Sequence, residues 1–351
     1  MQKITLDENV AVLTSTGYVL AKDLQPFDTL VCVDGTSRKP QVLRTRKSDM
    51  QKLTLKSRPS IPFVVEPHVC LYTKRQPFHF SSEYRALDAI KNGQYLESAV
   101  DDGNHVALAA SAKSEAYWEM VGMLAMRGYV HPTFIEDEMS ISLKLLDRHI
   151  EDTELMGAFE RAGFGRWLSK TTCTNTKQVN ELMAMMELPE AVFALSFDKR
   201  KALLKGLCGY VMPRVTNHGR SITHLISSSN WALLTAIARL TASLTGDLPK
   251  ISTKDYQTQI GYSINVTFDN PDFELETDTV SPRPEPIDDD ELFDELEASP
   301  VGILDEVIGV ENIKDCKVIT FILNTDRPIV VDNFSLCTKP LSSIAQGMEM
   351  S

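Results

Sequence analysis

Few side chains in this sequence are placed to do chemistry, and they are scattered. His68 closes the run VVEPH. An imidazole there works as a general base only with a nucleophile inside hydrogen-bond distance; without one it reads as a histidine packed in a strand. His218, His224 and Cys208 carry the atom types that hold zinc, yet no CxxC or HxxxH pair accompanies them, and zinc sites are built on such pairs. Glu136-Asp137-Glu138 supplies hard oxygen ligands, but three consecutive acids read more simply as a solvated hairpin tip. Met183-Ala184-Met185-Met186 reads as core packing. There is no GxSxG, no GxGxxG and no GxxxxGK loop, and no Cys/His dyad is recognisable from spacing. From these residues no cofactor and no metal is expected.

The elements that would position such groups follow from composition and pattern. The chain has 351 residues, 36 Lys+Arg against 48 Asp+Glu, a formal net charge of -12 and 43% hydrophobic residues. That length suits two or three domains of ~100–200 residues each, and the apolar fraction excludes global disorder. No apolar run reaches the ~18–20 residues that span a bilayer. The opening MQKITLDENV lacks a basic-then-apolar signal pattern, so neither a membrane segment nor secretion is expected. Six cysteines without a CxxC pair read as free thiols of a reducing cytosol. The acidic total argues against broad capture of DNA or RNA.

The acidity is local. Asp269 to Glu311 holds 16 acids and one base, Arg283, so this stretch carries -15 and the rest of the chain is left at +3 against the total of -12. Residues 271–300, which include SPRPEPIDDDELFDELEASP, read as an acidic, proline-containing linker unable to bury enough apolar surface to order itself. Leu292, Phe293 and Leu296 would form an apolar edge on a short helix. Two readings of that edge stand: a docking motif for a basic, apolar groove, or incidental apolars in a solvated tether. Ahead of this, the first hundred residues show short β-rich runs such as Ala11-Val12-Leu13-Thr14, Tyr18-Val19-Leu20, Leu30-Val31-Cys32-Val33, Leu53-Thr54-Leu55 and Phe63-Val64-Val65. Turn residues separate them, among them Gly17 and Asp34-Gly35, which predicts an all-β unit.

At this point the residues carry a resemblance. ENVAVLTSTGYVLAKDLQPFDTLVCVDG resembles the opening block of the hedgehog/intein (Hint) family, with Asp23, Leu24, Asp28 and Leu30 at its pattern positions. VVEPHVCLYT is similar to the family's Thr-x-Asn-His block, and FSSEYRALDAIKNGQYLES to the segment after it. VIGVENIKDCKVITFILNTDRPIVVDNFSLCT resembles its terminal strands. Between them, the helix YWEMVGMLAMRGYV and the later KRKALLKGLCGYVMPRV resemble the two LAGLIDADG helices of homing endonucleases, which small residues allow to pack closely. The resemblance implies a multidomain α+β chain. Residues 1–112 and 301–340 would form one all-β Hint-like domain, 113–270 an inserted LAGLIDADG-like domain of two αββ-type pseudo-repeats, and 341–351 a tail.

The same resemblance implies where the chemistry should be, and the residues there are unsuited to it. Thr5 falls near the splicing nucleophile, a role usually filled by Cys or Ser, with no host segment ahead of it. Val65 replaces the Thr that polarises the scissile amide, and a methyl group donates no hydrogen bond. His68 is retained. At the far end Cys337 falls on the family's His and Thr338 on its Asn. A hydroxyl has no amide nitrogen to cyclise; Asn333 lies about five residues early and Lys339 stands at the downstream nucleophile. In the endonuclease, one carboxylate from each helix holds divalent ions; here the positions are Arg127 and Val211, with Met212 for the usual Gly and with Glu119 and Asp198 a helical turn or more away.

Splicing and DNA cleavage are therefore expected to be absent, and the chain is expected not to be an enzyme. Residual DNA binding would rest on Arg214 and Arg220, the only bases in the saddle-forming stretches, supplemented at low pH by His218 and His224. The expected function is a repurposed, non-catalytic intein-derived protein that acts by binding other proteins. Proteins of this ancestry are common in large phages, so the expectation is a phage adaptor or sorting factor in the cytoplasm of an infected bacterium, with selective import into a phage nucleus among such roles. The alternative is a degenerate homing endonuclease that still binds or weakly cuts DNA.

Overall fold

The computed structural model describes residues 1–76, 82–99, 113–127, 129–135, 138–144, 153–164, 176–209, 213–216, 221–256, 259–269 and 303–338. The chain is α+β, mostly strand with a few helices, and its largest sheet closes on itself like a barrel. That sheet draws on both chain ends. From the first come β1 (Gln2–Asp7), β2 (Ala11–Thr14), β3 (Gly17–Leu20), β4 (Leu30–Val31), β5 (Ser37–Arg38), β6 (Gln41–Leu55), β7 (Arg58–Val65), β8 (Cys70–Lys74), β9 (Glu83–Ala86) and β10 (Tyr95–Glu97). The insertion supplies β11 (Tyr129–Ile135), β12 (Glu138–Lys144), β13 (Arg214–Thr216), β14 (Ser221–Ser228), β15 (Lys250–Tyr256) and β16 (Gln259–Asp269). β17 (Leu304–Leu323), β18 (Ile329–Val331) and β19 (Phe334–Cys337) return to the large sheet.

Closure comes from a ring of antiparallel pairings: β1 with β7, β7 with β6, β6 with β17, and β17 back to β1. Alternation makes this work, because successive side chains on a strand point to opposite faces. Ile4 and Leu6 of β1 join Phe321 and Leu323 of β17 in the barrel interior, while Thr5 between them pairs with Thr320. β2 is buried on both faces, with Val12 in the barrel core and Ala11 and Leu13 in the core of the insertion. Sequence pattern places a strand only at 52–56 in this region, whereas β6 runs for 15 residues. Four of its first ten residues are charged and the stretch carries no apolar alternation; its pairing with β17, on the far side of the insertion, makes it a strand.

The insertion repeats one local plan. Helix α1 (Glu115–Arg127) is followed by the β11–β12 hairpin. After α2 (Thr153–Arg161), α3 (Thr176–Met186) and α4 (Glu190–Phe193), helix α5 (Phe197–Cys208) is followed by the β13–β14 hairpin. Helix α6 (Trp231–Thr245) then leads to β15 and β16, which complete a sheet of order β13-β14-β16-β15. Asn230 caps α6 by accepting from the Leu233 N–H, and Gly246 ends it in the left-handed region at φ 77°. Among the described residues no helix is long and apolar enough to cross a membrane. Residues 271–300, with Leu292, Phe293 and Leu296, lie outside the described residues, as do 341–351.

α1 and α5 pack backbone to backbone at two glycines. A Cβ on Gly122 would collide with the Leu203 carbonyl oxygen and stand 2.8 Å from the Leu207 nitrogen. One on Gly206 would collide with the Glu119 carbonyl oxygen. Relief by a side-chain rotation is impossible, since the obstacles are main-chain atoms. G206A is expected to lower the unfolding free energy by about 1–3 kcal/mol, measured as a shifted midpoint in urea, whereas an alanine at the open turn position Gly93 (φ 81°) would meet no neighbour and cost only its backbone strain.

Candidate functional site

The strand register gathers the expected splicing positions around β1. Thr5 is fully buried, and its hydroxyl lies 3.2 Å from that of Thr320. Arg46 donates to both, from Nη2 to Thr5 at 3.3 Å and from Nε to Thr320 at 3.1 Å. Val65 pairs with Leu6 and is buried in the barrel core. Cys337 is buried opposite Cys70, and the Thr338 N–H donates to the Gln2 side chain at 3.3 Å. His68 corrects the sequence reading: it lies in the turn between β7 and β8 and is exposed, not packed in a strand. The turn Pro67-His68 ends β7 before the histidine, so no strand face is there to bury it. The Thr5 hydroxyl is held by an Arg and a Thr, neither of which takes a proton at neutral pH.

Asn333 has its amide fully engaged. Its Nδ2 donates to the Thr235 carbonyl at 3.1 Å, and its Oδ1 accepts from the Tyr18 hydroxyl. Burial pushes the Tyr18 phenol up to about 12, with Arg239 opposing the shift. The five described cysteines form no disulfide with one another.

The helix pair gives no metal cradle. Arg127 is the last residue of α1, where a cation replaces the carboxylate the resemblance implies. Val211 and Arg220 lie outside the described residues, as does His218. Glu119 is buried between the helices, 3.3 Å from Arg161 Nη2 and 3.6 Å from Lys205 Nζ, so its charge is already met by two cations. Among the described residues no group of three or more His, Cys, Asp and Glu side chains could hold a metal ion. Divalent ions that activate water need converging oxygens, and the residues at hand do not supply them. Arg214 is exposed on β13. His224 is a second correction: it is fully buried on β14, its ring 5.9 Å from Phe268 and nearly perpendicular to it, so it cannot reinforce a phosphate-binding face.

Sequence reasoning missed a buried carboxylate that joins four elements. The β18–β19 hairpin turns on Asp332 and Asn333, both left-handed at φ 49° and 71°, a two-residue turn of the type that suits Asp and Asn. This turn aims the Asp332 carboxylate inward. Its Oδ2 accepts from Arg58 Nη1 at 2.8 Å, and both side chains are almost wholly buried. Oδ1 accepts from the Ala11 N–H at 2.8 Å and from Trp231 Nε1 at 3.3 Å. The Arg58 guanidinium lies 5.5 Å from the rings of Phe63, Trp231 and Phe334. One carboxylate thus ties β2, β7, β18–β19 and α6 together. Beside it lies a small cavity of about 20 Å³ lined by Ser57, Arg58, Trp231, Thr235, Pro249 and Asp332. Arg58 Nη2 is buried there with no protein hydrogen-bond partner.

Two outcomes follow from this junction. D332N or R58M is expected to cost about 3–5 kcal/mol of stability, because each leaves the other charge buried and alone; the double variant D332N/R58M should cost less than the sum of the two, read in urea titrations. Nearby, Asp305 accepts from the Ser57 N–H at 3.0 Å and from its hydroxyl at 2.5 Å, and burial nevertheless raises its pKa above the usual carboxylate value. A raised folded-state pKa gives stability that is full below the unfolded value of about 3.9 and is lost as pH rises through the folded one. Wild type should therefore lose ground to D305N between about pH 4 and 7, and a gap that stays constant with pH would contradict this.

Comparison with known proteins adds no name to this geometry: no family model matches the chain, and no curated protein matches it.

Proposed function

We propose that this chain is a repurposed, non-catalytic protein of Hint and LAGLIDADG-like ancestry that acts by binding other proteins. The observation that carries the reading is the state of the two ancestral sites. Around β1, a buried Thr5 is bonded to Arg46 and Thr320, Val65 is core, and Cys337 and Thr338 stand where an imidazole and a cyclising amide would be needed. Among the described residues no base is brought to that hydroxyl, and Thr338 carries no carboxamide of its own for backbone cleavage. On the helix pair, Arg127 ends α1 and Glu119 is neutralised by Arg161 and Lys205. Meanwhile the cores are intact and apolar, and the helix interface keeps the glycines its close packing requires. A fold maintained without its chemistry retains a surface, and a surface works by binding. An adaptor or sorting factor of a large phage, with selective import into a phage nucleus among its roles, is the specific form of this proposal.

The test uses the whole chain. Purified protein is incubated with phage genomic DNA fragments in magnesium across a salt series, and its intact mass is followed in parallel. The expected result is uncut DNA, little salt-sensitive retention, and a single mass. Cleaved DNA or a self-excised fragment would sink the proposal, and salt-sensitive retention carried by Arg214 would favour the degenerate endonuclease that still grips DNA.

A further inference from the structure

Among the described residues one edge of the barrel is open, and it carries a net positive charge. Residues 51–55 of β6 lie between β7 and β17, but residues 41–50 pair with β17 alone among the described residues. Roughly half of the backbone N–H and C=O groups over those residues therefore point away from the sheet with no strand to meet them. Residues 41–50 carry three bases, Arg44, Arg46 and Lys47, against one acid, Asp49. Within the open stretch, Arg44 and Lys47 are exposed and have no ion partner among the described residues. Lys47 also stands directly opposite Lys317 in the ladder, a like-charge pairing that weakens a sheet unless an anion joins it. Lys317 has Glu8 only at 3.9 Å, and Lys314 farther along β17 is exposed.

Basic side chains guard an edge strand against a second copy of itself. The same charge leaves it open to a strand of opposite sign. We propose that the edge of β6 over residues 41–50 takes up an acidic, extended peptide segment of a partner protein as an added strand. This rests on the binding-protein reading and names the chemistry of the partner. The ladder would supply affinity and the charges selectivity, as in other strand additions. Two features favour a peptide over a nucleic acid. Arg44 and Arg46 point to one face of the strand and Lys47 to the other, which suits an extended chain with acids on both of its faces rather than phosphates arriving from one side. The stretch QVLRTRKSDM also has no aromatic ring on which a base could stack.

The experiment is fluorescence anisotropy of the full chain with a labelled peptide of about ten residues, pairs of Glu alternating with pairs of Thr so that both faces of the extended chain carry acids. Three companions are run beside it: the same peptide with Gln for Glu, the same peptide N-methylated at every residue, and a single-stranded DNA oligonucleotide. Saturable binding of the Glu peptide is expected, weakened at least about tenfold by the Gln replacement and by added salt, and lost on N-methylation, which keeps the charge but removes the ladder donors. R44E and K47E, both at exposed positions and checked by circular dichroism, should each weaken it by about threefold or more. No binding of the Glu peptide, equal binding of the Gln or N-methylated peptide, or tighter binding of the DNA through Arg44 and Lys47 would overturn the proposal. Failure here leaves the non-catalytic reading standing, because that reading is scored on DNA cleavage and self-excision with no peptide present.

Discussion

The carboxylate of Asp332 accepts from a backbone amide of β2, a guanidinium of β7 and an indole of α6, all in the dry seam where the barrel meets the inserted helices. A buried charge is tolerated only when its partner is close and its lone pairs are filled, so this seam has one geometry in which it is stable. The hairpin turn that presents Asp332 is in turn fixed by two left-handed residues, and the second of them, Asn333, bonds both Tyr18 and the α6 backbone. Gly17 completes the contact: a Cβ there would stand 2.9 Å from the Glu187 carbonyl oxygen, so the β2–β3 turn lies directly against the insertion. The two parts of the molecule are consequently held in register by polar contacts inside a continuous apolar core that contains Leu13, Tyr18, Val330 and the helix residues Leu203, Leu207 and Ile237.

That seam bears on the functional reading. The junction and the helix pair are where buried polar groups are concentrated, and they are spent on holding the architecture. Arg58 and Asp332 neutralise one another, Glu119 is met by two cations, and the Asn333 amide is saturated. Reactive sites keep a poised acid, base or nucleophile with room for a substrate. Here Asp332, Glu119 and Asn333 are each engaged by neighbouring side chains, and exposed basic charge lies on the barrel flank.

Much of the local structure was legible in the sequence. The alternation and Gly17 marked the β2–β3 hairpin, and the small residues in YWEMVGMLAMRG and KRKALLKGLCG marked two helices able to touch at their backbones. The turn type demanded by Asp332-Asn333 was also written locally. What it does was not: Arg58 lies 274 residues away and Trp231 101 residues away, and no short-range pattern encodes such pairings. The first part of β6 was hidden for the opposite reason, since its mix of charged and apolar residues does not alternate and its strand character comes from a partner beyond the insertion. The histidines misled because sequence shows their type without their surroundings, so that His68 proved to be the exposed one and His224 the buried one.

The single long strand β17 sets the order in which the molecule can be made. Strands up to Glu97 leave the ribosome first, yet the ring they belong to lacks its closing member until Leu304 and beyond have been synthesised. At ~5–20 residues per second that is a delay of roughly ten to forty seconds. During it, Ile4, Leu6, Leu53 and Phe63 have no lid, while the paired helices α1 and α5 already have each other within one stretch of nascent chain. The insertion is thus positioned to fold first and to serve as the platform on which the barrel is later shut, and the waiting amino-terminal strands are the part of this protein that would call on a chaperone.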